Sequence, residues 1–338
     1  MKNIVHSFPL KNENTFGINA IADEYISIET VQEAKDFFST PSVKPYYILG
    51  GGSNILITKD VNGIIVQNKI KGISTQIIDE LTIHVTAGAG ENWNEFVLFC
   101  IENNWGGLEN LSLIPGNVGA SPMQNIGAYG IEIKDVFVSL NALEITKNKM
   151  QSFDNEACNF GYRESIFKNS HKNKFLIIDV TFKLTRKNHK ISANYGAIQS
   201  ELQKNNITYP TIRDISNAVI AIRSSKLPDP KIIGNAGSFF KNPVISIELA
   251  NIIKTNYPDL VEYPIDETST KLAAGWMIEK AGWKGYKKGD AGVHALQALV
   301  LVNYANATGN QILELSQRII DDVFLKFGVS LEREVNIW

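Results

Sequence analysis

Three glycines in a row, Gly50-Gly51-Gly52, stand between two apolar runs, Tyr47-Ile48-Leu49 and Ile55-Leu56-Ile57. Glycine weakens a strand, so a triplet at this point has no rationale in β propensity. Its use is steric. Backbone without Cβ reaches φ > 0, admits another backbone closely, and can turn N–H groups toward an anion. Ser53 and Asn54 follow with short side chains able to donate to phosphate oxygens. A tight hairpin or a bulge would use the same residues, so the triplet alone leaves both readings open.

At 338 residues the chain has room for two or three domains and a sizeable core. Charged residues make up 20% and hydrophobic ones 44%, as in ordinary globular proteins. A formal charge of −2 argues against a nucleic-acid or anionic-membrane surface. The two cysteines, Cys100 and Cys158, form no CxxC and suit a reducing compartment. His6, His84, His171, His189 and His294 are scattered without ligand spacing, so no metal is expected. Met1-Lys2-Asn3-Ile4-Val5-His6-Ser7 lacks the apolar core of a signal peptide, and no apolar run approaches a membrane span. The expectation is a cytoplasmic protein.

Thr30 and Glu33 are spaced as a capping box, ahead of a helix with Val31, Ala34, Phe37 and Phe38 on one face. Gly63-Ile64-Ile65-Val66 and Thr82–Ala87 read as strands. Gly88-Ala89-Gly90-Glu91-Asn92-Trp93 begins like a dinucleotide fingerprint, but Trp93 stands where the third small residue belongs. We therefore reject a nicotinamide-binding Rossmann unit and assign Trp93, Phe96, Val97, Cys100 and Ile101 to the core face of a helix. Residues 112–130 form a second glycine-rich stretch, rich in Ala, Ser, Asn and Gln and nearly free of charge. A solvated loop would carry Lys, Glu and Asp. This one fits backbone packed against a buried cofactor, or a tightly packed structural loop.

Val136-Phe137-Val138 and Leu143-Glu144-Ile145 read as separate strands before a turn at Lys147-Asn148-Lys149, and Phe175–Phe182 is strongly β in character. Residues 183–212 form a polar, turn-rich excursion around Tyr195, closed by a helix from about Asp214 to Arg223. Lys226-Leu227-Pro228-Asp229-Pro230 reads as the linker to a smaller α/β unit. That unit should hold helices near Ile247–Thr255 and Leu272–Ala281 and a strand at Ala298–Val302. Its last helix should run from a Thr308/Gln311 capping box to a Gly328 cap, burying Ile312, Leu315, Ile319, Val323 and Phe327.

Five motifs then occur in order: Gly-Gly-Gly-Ser-Asn at 50–54, the 112–130 loop, Gly-Tyr-Arg-Glu-Ser at 161–165, Gly-Ser-Phe-Phe-Lys-Asn-Pro at 237–243 and Leu-Glu-Arg-Glu-Val at 331–335. Together they resemble the UDP-N-acetylenolpyruvoylglucosamine reductase (UDP-N-acetylmuramate dehydrogenase) family over essentially the whole chain. The excursion with Tyr195 is similar to that of its longer subtype. The resemblance implies an α+β fold: a two-lobed FAD-binding part of the vanillyl-alcohol-oxidase type, with lobes at 1–72 and 73–225. A C-terminal α/β substrate domain would cover 226–338, its end packing back on the flavin site. It also implies non-covalent FAD, NADPH as co-substrate, and a monomer acting on small molecules in peptidoglycan synthesis.

In the reaction so implied, hydride passes from NADPH to FAD and on to the enolpyruvyl β-carbon, with a proton added at the α-carbon. Such a site needs a cation to polarise the substrate carboxylate, a proton donor, and metal-free binding of a diphosphate. Arg163 suits the first need, since a guanidinium offers a permanent bidentate fork; beside Glu164 it could equally be a surface ion pair. Ser238 suits the second, because an enolate-like carbon is basic enough to take a hydroxyl proton; a plain turn serine is the competing reading. Glu334 matches the family glutamate that helps place the proton or stabilise the intermediate, with Glu332 its competitor, more at home in solvent.

By the same resemblance Gly50, Gly51, Gly52, Ser53, Asn54, Gly116, Gly119, Ala120, Ser121, Gln124, Asn125, Gly127, Ala128 and Tyr129 would line the flavin. Tyr162, Tyr195, Lys226, Asn242 and Gln297 would contact substrate, with Lys241 and Lys271 adding positive potential. An FAD-dependent alcohol or sugar oxidase of the same fold, or a non-catalytic flavin- or nucleotide-sugar-binding protein, stands as the alternative.

Overall fold

Thr30 opens the first helix through its hydroxyl. In the structure, a computed structural model that describes residues 4–338, Thr30 Oγ1 accepts from the Glu33 N–H at 3.1 Å, at the head of α1 (Val31–Phe38). The reciprocal arm of the expected capping box lands one residue earlier, with the Glu33 carboxylate accepting from the Glu29 N–H at 2.8 Å. Met1, Lys2 and Asn3 of the opening segment lie outside the described residues. The chain separates into two compact units. One comprises residues up to Phe8, Ala22–Gly51 and Asn62–Ser225; the other comprises Pro9–Ile21, Gly52–Val61 and Lys226–Trp338.

In the first unit, Ala34 and Phe38 of α1 pack with Ile26, Ile28, Ile64 and Val66. Those four residues belong to Ile21–Ile28 and Val61–Asn68, strands of a four-stranded sheet ordered Val5–Pro9, Ile21–Ile28, Val61–Asn68, Tyr46–Leu49 among the described residues. Tyr46–Leu49 runs parallel to Val61–Asn68, with Tyr46 opposite Ile64. Parallel neighbours need a crossover rather than a two-residue turn. The glycine triplet that follows Leu49 therefore starts a crossover, which removes the hairpin reading.

The second sheet of this unit is antiparallel, in the order Lys149–Asp154, Phe137–Glu144, Phe175–Thr185, Thr82–Gly88, Ile73–Ile77. The two short strands expected around 136–145 are one continuous strand, Phe137–Glu144. Its polar middle is tolerated because Asn141 donates to Asp179 and accepts from Ser152 across the sheet, at 2.9 and 2.5 Å. α2 (Trp93–Glu102) buries Trp93, Phe96, Val97, Cys100 and Ile101, as its periodicity predicts. The glycines ahead of it serve backbone packing. A Cβ on Gly88 would lie 2.6 Å from the Ile70 carbonyl oxygen, and one on Gly90 would lie 2.5 Å from the Lys69 carbonyl carbon.

After the single-turn α3 (Asn155–Cys158), the excursion contains a helix that its polar sequence concealed, α4 (Gly196–Lys204). Ile198 and Leu202, one turn apart, form a small satellite core with Ile215, Ala218, Val219 and Ile222 of α5 (Ile212–Lys226).

In the second unit Gly234–Ser238, Val300–Asn303, Ala291–Val293 and Lys287–Lys288 form an antiparallel sheet in that order, and Val244–Ser246, Ser269–Leu272 and Glu262–Pro264 form another. Here α6 spans Ile247–Asn256 and α7 Ala274–Lys280, so Leu272 ends a strand and does not begin the helix. α8 (Gly309–Phe327) has the full Thr308/Gln311 capping box, the Gly328 left-handed cap and the expected buried face. Pro9–Ile21 and Gly52–Val61 are built into this unit by close backbone contact. A Cβ on Gly309 would sit 1.9 Å from the Ile57 carbonyl oxygen, and one on Gly234 would sit 2.3 Å from that of Phe16.

Glu109 is a buried carboxyl whose proton affinity is raised by burial, against the N–H of Gly107 donating to it at 2.6 Å. A carboxyl whose folded-state pKa is raised stabilises the fold below its ordinary value of about 4.3 and loses that contribution as pH climbs through the raised value. Glu109→Gln keeps an acceptor for Gly107 and cannot ionise. The variant should flatten the fall in melting temperature over that window and raise it by roughly 2 °C at neutral pH, as thermal unfolding across a pH series would record. A variant that matches the parent below that window and melts below it at neutral pH would show the ionised carboxylate to be stabilising.

Candidate active site

Of the three glycines, Gly52 needs its conformation and Gly51 its lack of a side chain. Gly52 has φ +63, and a Cβ there would fall 2.0 Å from the Glu13 carbonyl oxygen. A Cβ on Gly51 would meet Asn117 Oδ1 at 2.8 Å and Gly116 Cα at 3.1 Å. Around Gly50 only Asn117 Cβ comes near, at 3.8 Å. The amides of Gly51, Gly52 and Ser53 have no protein acceptor among the described residues.

The uncharged 112–130 stretch is held by backbone bonds: Val118 N–H to the Glu91 carbonyl and Gly119 N–H to that of Ala89, both at 2.9 Å. A Cβ on Gly119 would lie 2.5 Å from that of Ala89. Ser121 is buried and donates to the Val118 carbonyl, Ala120 is exposed, and Gln124 is half-buried. Close-packed backbone, no acidic side chain and unpaired amides fit the diphosphate and rings of a dinucleotide cofactor.

Asn125, in the left-handed region with φ 45, is fully occupied by protein. Its amide donates to the Glu132 carboxylate and the Gly161 carbonyl, and its oxygen accepts from the Lys134 N–H, at 3.0 to 3.1 Å. Its backbone N–H is taken as well, by the Ser121 carbonyl, and the residue has no exposed surface. Through Gly161 the same residue anchors the turn that bears Tyr162 and Arg163, closed by paired backbone bonds between Gly161 and Glu164. Arg163 sits at φ 55, its guanidinium 5.3 Å from the Tyr162 ring centroid. Its Nη2 donates to the Gly127 carbonyl at 2.7 Å, and a Cβ on Gly127 would crowd Nη1 at 3.2 Å. The short strand Gly127–Ala128 carries this contact.

Tyr129, next along, packs edge-on to Tyr195 with centroids 5.2 Å apart. Sequence reasoning missed the two residues that hold this pair. Asn110, buried, donates to the Ser192 carbonyl at 3.0 Å and to that of Tyr129 at 3.4 Å. Arg223 hydrogen-bonds Tyr129 and the Leu113 carbonyl, with no carboxylate partner among the described residues; burial lowers its pKa and raises that of Tyr129. The signal was available, since Arg223 follows Val219 by one turn on the buried face of α5.

In the second unit, Ser238 is exposed by a local device. The ladder shifts between Asn235 and Ser238, where Gly237 takes φ +68. Asn235, buried, accepts from the Gly237 N–H at 3.0 Å, and a bulge of this kind re-aims the side chain after it. The C-terminal segment pairs with the residues that follow: Glu334 N–H donates to the Phe239 carbonyl at 2.8 Å, and Phe240 bridges Arg333. Glu334 thus lies beside the Ser238 strand. Asn54 donates to the Glu334 carbonyl at 3.4 Å.

Asn242 accepts from the Ala274 N–H at the head of α7, at 2.9 Å, and Gln297 Oε1 stands 3.2 Å from a Cβ built on Gly275, so the two converge there. Lys226 is exposed at the end of α5. Lys241 is buried and paired with Glu332, which corrects the expectation of an open positive charge there; the Glu332 side chain stays 67% exposed, as expected. Lys271 stands over the Tyr263 ring at 5.9 Å. No group of histidine, cysteine and carboxylate ligands for a metal occurs among the described residues.

Residues 25–148 match the family model described as FAD binding domain. With the two sheets of the first unit, this defines a protein with an FAD-binding domain. Residues 229–338 match the model of the UDP-N-acetylenolpyruvoylglucosamine reductase C-terminal domain, and a reductase of that name from Flavobacterium johnsoniae is 53% identical over 334 residues, 99% of each chain. The chain belongs to the UDP-N-acetylenolpyruvoylglucosamine reductase family. A relative of the same name from Pseudomonas aeruginosa is 45% identical over 97% of each chain. The crystal structure of the Thermus caldophilus reductase shares the fold, with a TM-score of 0.68 at 23% identity, covering 99% of this chain and 98% of that one.

Proposed function

We propose that the chain reduces the enolpyruvyl group of UDP-N-acetylenolpyruvoylglucosamine with NADPH, giving UDP-N-acetylmuramate for peptidoglycan synthesis. Membership of the family selects this reductase over the oxidase and the non-catalytic binding protein. In this reading 1–72 and 73–225 are the flavin lobes and 226–338 is the substrate domain. When bound, FAD supplies the hydride chemistry, taking hydride from NADPH and giving it to the substrate β-carbon. Gly50, Gly51, Gly52 and Ser53 cradle the cofactor diphosphate through backbone amides, with Asn54 beside them. Gly116, Gly119, Ala120, Ser121, Gln124, Gly127, Ala128 and Tyr129 line its rings.

Arg163 grips the substrate carboxylate, and Ser238 delivers its hydroxyl proton to the α-carbon as charge builds there. Glu334 places that proton. Tyr162, Tyr195, Lys226, Asn242 and Gln297 hold the UDP-sugar, lysine supplying charge and the others neutral donors, so that no metal is needed. A cytoplasmic location and a monomeric state belong to the same reading. Its strongest support is the backbone pairing of Glu334 with Phe239, which brings the segment bearing Glu334 alongside the strand end that carries the exposed Ser238.

Anaerobic stopped-flow tests it. Purified protein with its yellow chromophore should bleach with NADPH and recover its colour when the enolpyruvyl UDP-sugar is added. Recovery with oxygen but not with the UDP-sugar would point to the oxidase instead, and a protein that takes up no FAD would overturn the whole assignment.

A further inference from the structure

The segment carrying Glu334 is a strap fixed along one side by backbone. Its Glu332 carbonyl accepts from the Lys241 N–H at 2.9 Å and its Glu334 N–H donates to the Phe239 carbonyl at 2.8 Å. Past Glu334 the strap is tied again, where Asn336 N–H donates to the Asn54 carbonyl at 3.1 Å and Asn336–Ile337 pairs with Ile55–Leu56. Between these ties Arg333 makes no backbone hydrogen bond of its own among the described residues, so at that residue the strap is held by its side chain. In an extended segment, alternate side chains face opposite sides.

Arg333 holds the side toward α8. Its Nε donates to Ser316 Oγ at 2.8 Å and its Nη2 to Gln317 Oε1 at 2.7 Å. Ser316 has no exposed surface, and its hydroxyl proton goes to the Leu313 carbonyl at 2.6 Å, so its lone pair is aimed by the helix itself. A planar guanidinium gripping two successive residues of one helix resists rotation in a way a lysine could not.

We propose that Arg333 is the positioning residue for Glu334: by clasping Ser316 and Gln317 it holds the strap against α8 at the residue next to Glu334, and so steadies the place from which the neighbouring carboxyl acts. This rests on the reading of Glu334 as the group that places the substrate proton. Arg333 itself touches neither substrate nor cofactor.

The test compares R333A, E334Q and the double variant as FAD-loaded enzymes, following both half-reactions by single-turnover absorbance. R333A should retain FAD and be reduced by NADPH within about twofold of the parent, while reoxidation by the UDP-sugar slows by about 10²-fold, the size of effect expected when a reacting group is misplaced. Its pH profile for reoxidation should shift, guanidinium in the buffer should restore part of the rate, and the substitution should add nothing in the E334Q background. Ser316→Ala, which spares the charge and removes the acceptor, should give the same split to a smaller degree; it decides the matter if R333A does not fold.

Normal reoxidation in R333A and Ser316→Ala, equal loss in both half-reactions, or an R333A defect that multiplies onto that of E334Q would overturn the proposal. A slow E334Q with a normal R333A removes Arg333 alone. A normal E334Q removes the role of Glu334 and the proposal with it.

Discussion

Ser238→Ala is expected to leave flavin reduction by NADPH close to the parent rate and to slow reoxidation by the UDP-sugar by about 10²- to 10⁴-fold, the range a positioned proton donor contributes. The asymmetry follows from where the hydroxyl sits. Ser238 is exposed after a bulge made by Asn235 and Gly237, and its hydroxyl has no protein partner among the described residues. Truncation therefore removes no structural bond, and stability should change by less than about 0.5 kcal/mol. What disappears is the hydroxyl proposed as the proton source, on the strand end that pairs with Glu334. Rapid kinetics on each half-reaction gives the answer. Equal loss in both would take Ser238 out of the proton-delivering role, and a variant of parental speed would pass that role to another group or to water.

Local signals in the sequence were faithful where the interaction itself is local. The Thr308/Gln311 box and the Gly328 cap lie within one turn of the ends they close, and both form as expected. The buried face of α2 follows from spacing alone. Two misreadings have physical causes. Phe137–Glu144 was split because Ser139 and Asn141 look like loop residues until the cross-strand partners Asp179 and Ser152 are known. α4 was hidden because its apolar content is little more than Ile198 and Leu202, enough only when α5 covers them.

The site divides in the same way. Arg163, Ser238 and Glu334 stood out through the company they keep in sequence. The groups that orient their surroundings did not. Asn110 reaches Ser192, Arg223 reaches Leu113, and Asn336 reaches Asn54 across a sequence separation of 282. Each is an ordinary polar residue that acquires its task only when the chain returns to it. The glycine triplet shows the limit from the other side: its loop was legible, but that Gly52 answers to Glu13 and Gly51 to Gly116 required the fold.

Arg163→Lys is the second large effect, and the geometry explains why preserving the charge should not preserve the reaction. The Arg163 turn is closed by reciprocal bonds between Gly161 and Glu164, with Arg163 at φ 55. Lysine tolerates that backbone no worse, so the fold should survive. The guanidinium does two things at once: one nitrogen holds the Gly127 carbonyl at 2.7 Å, which fixes the plane of the fork. A fork whose plane is fixed in this way can meet a planar carboxylate with little further ordering. An ammonium is a single point. If it binds the Gly127 carbonyl it leaves the substrate, and if it follows the carboxylate it gives up its anchor and the direction that anchor imposes.

Reoxidation by the UDP-sugar should therefore fall by about 10²- to 10³-fold, the loss seen when a preorganised donor to developing negative charge is removed. Because the effect is on stabilising that charge, it should appear in kcat more than in KM. Flavin content and melting temperature should stay near those of the parent. Steady-state kinetics beside a thermal melt separates the possibilities: near-normal turnover in a folded Arg163→Lys would sink the carboxylate clamp, and a loss confined to KM would mean that Arg163 binds the substrate without favouring its reaction.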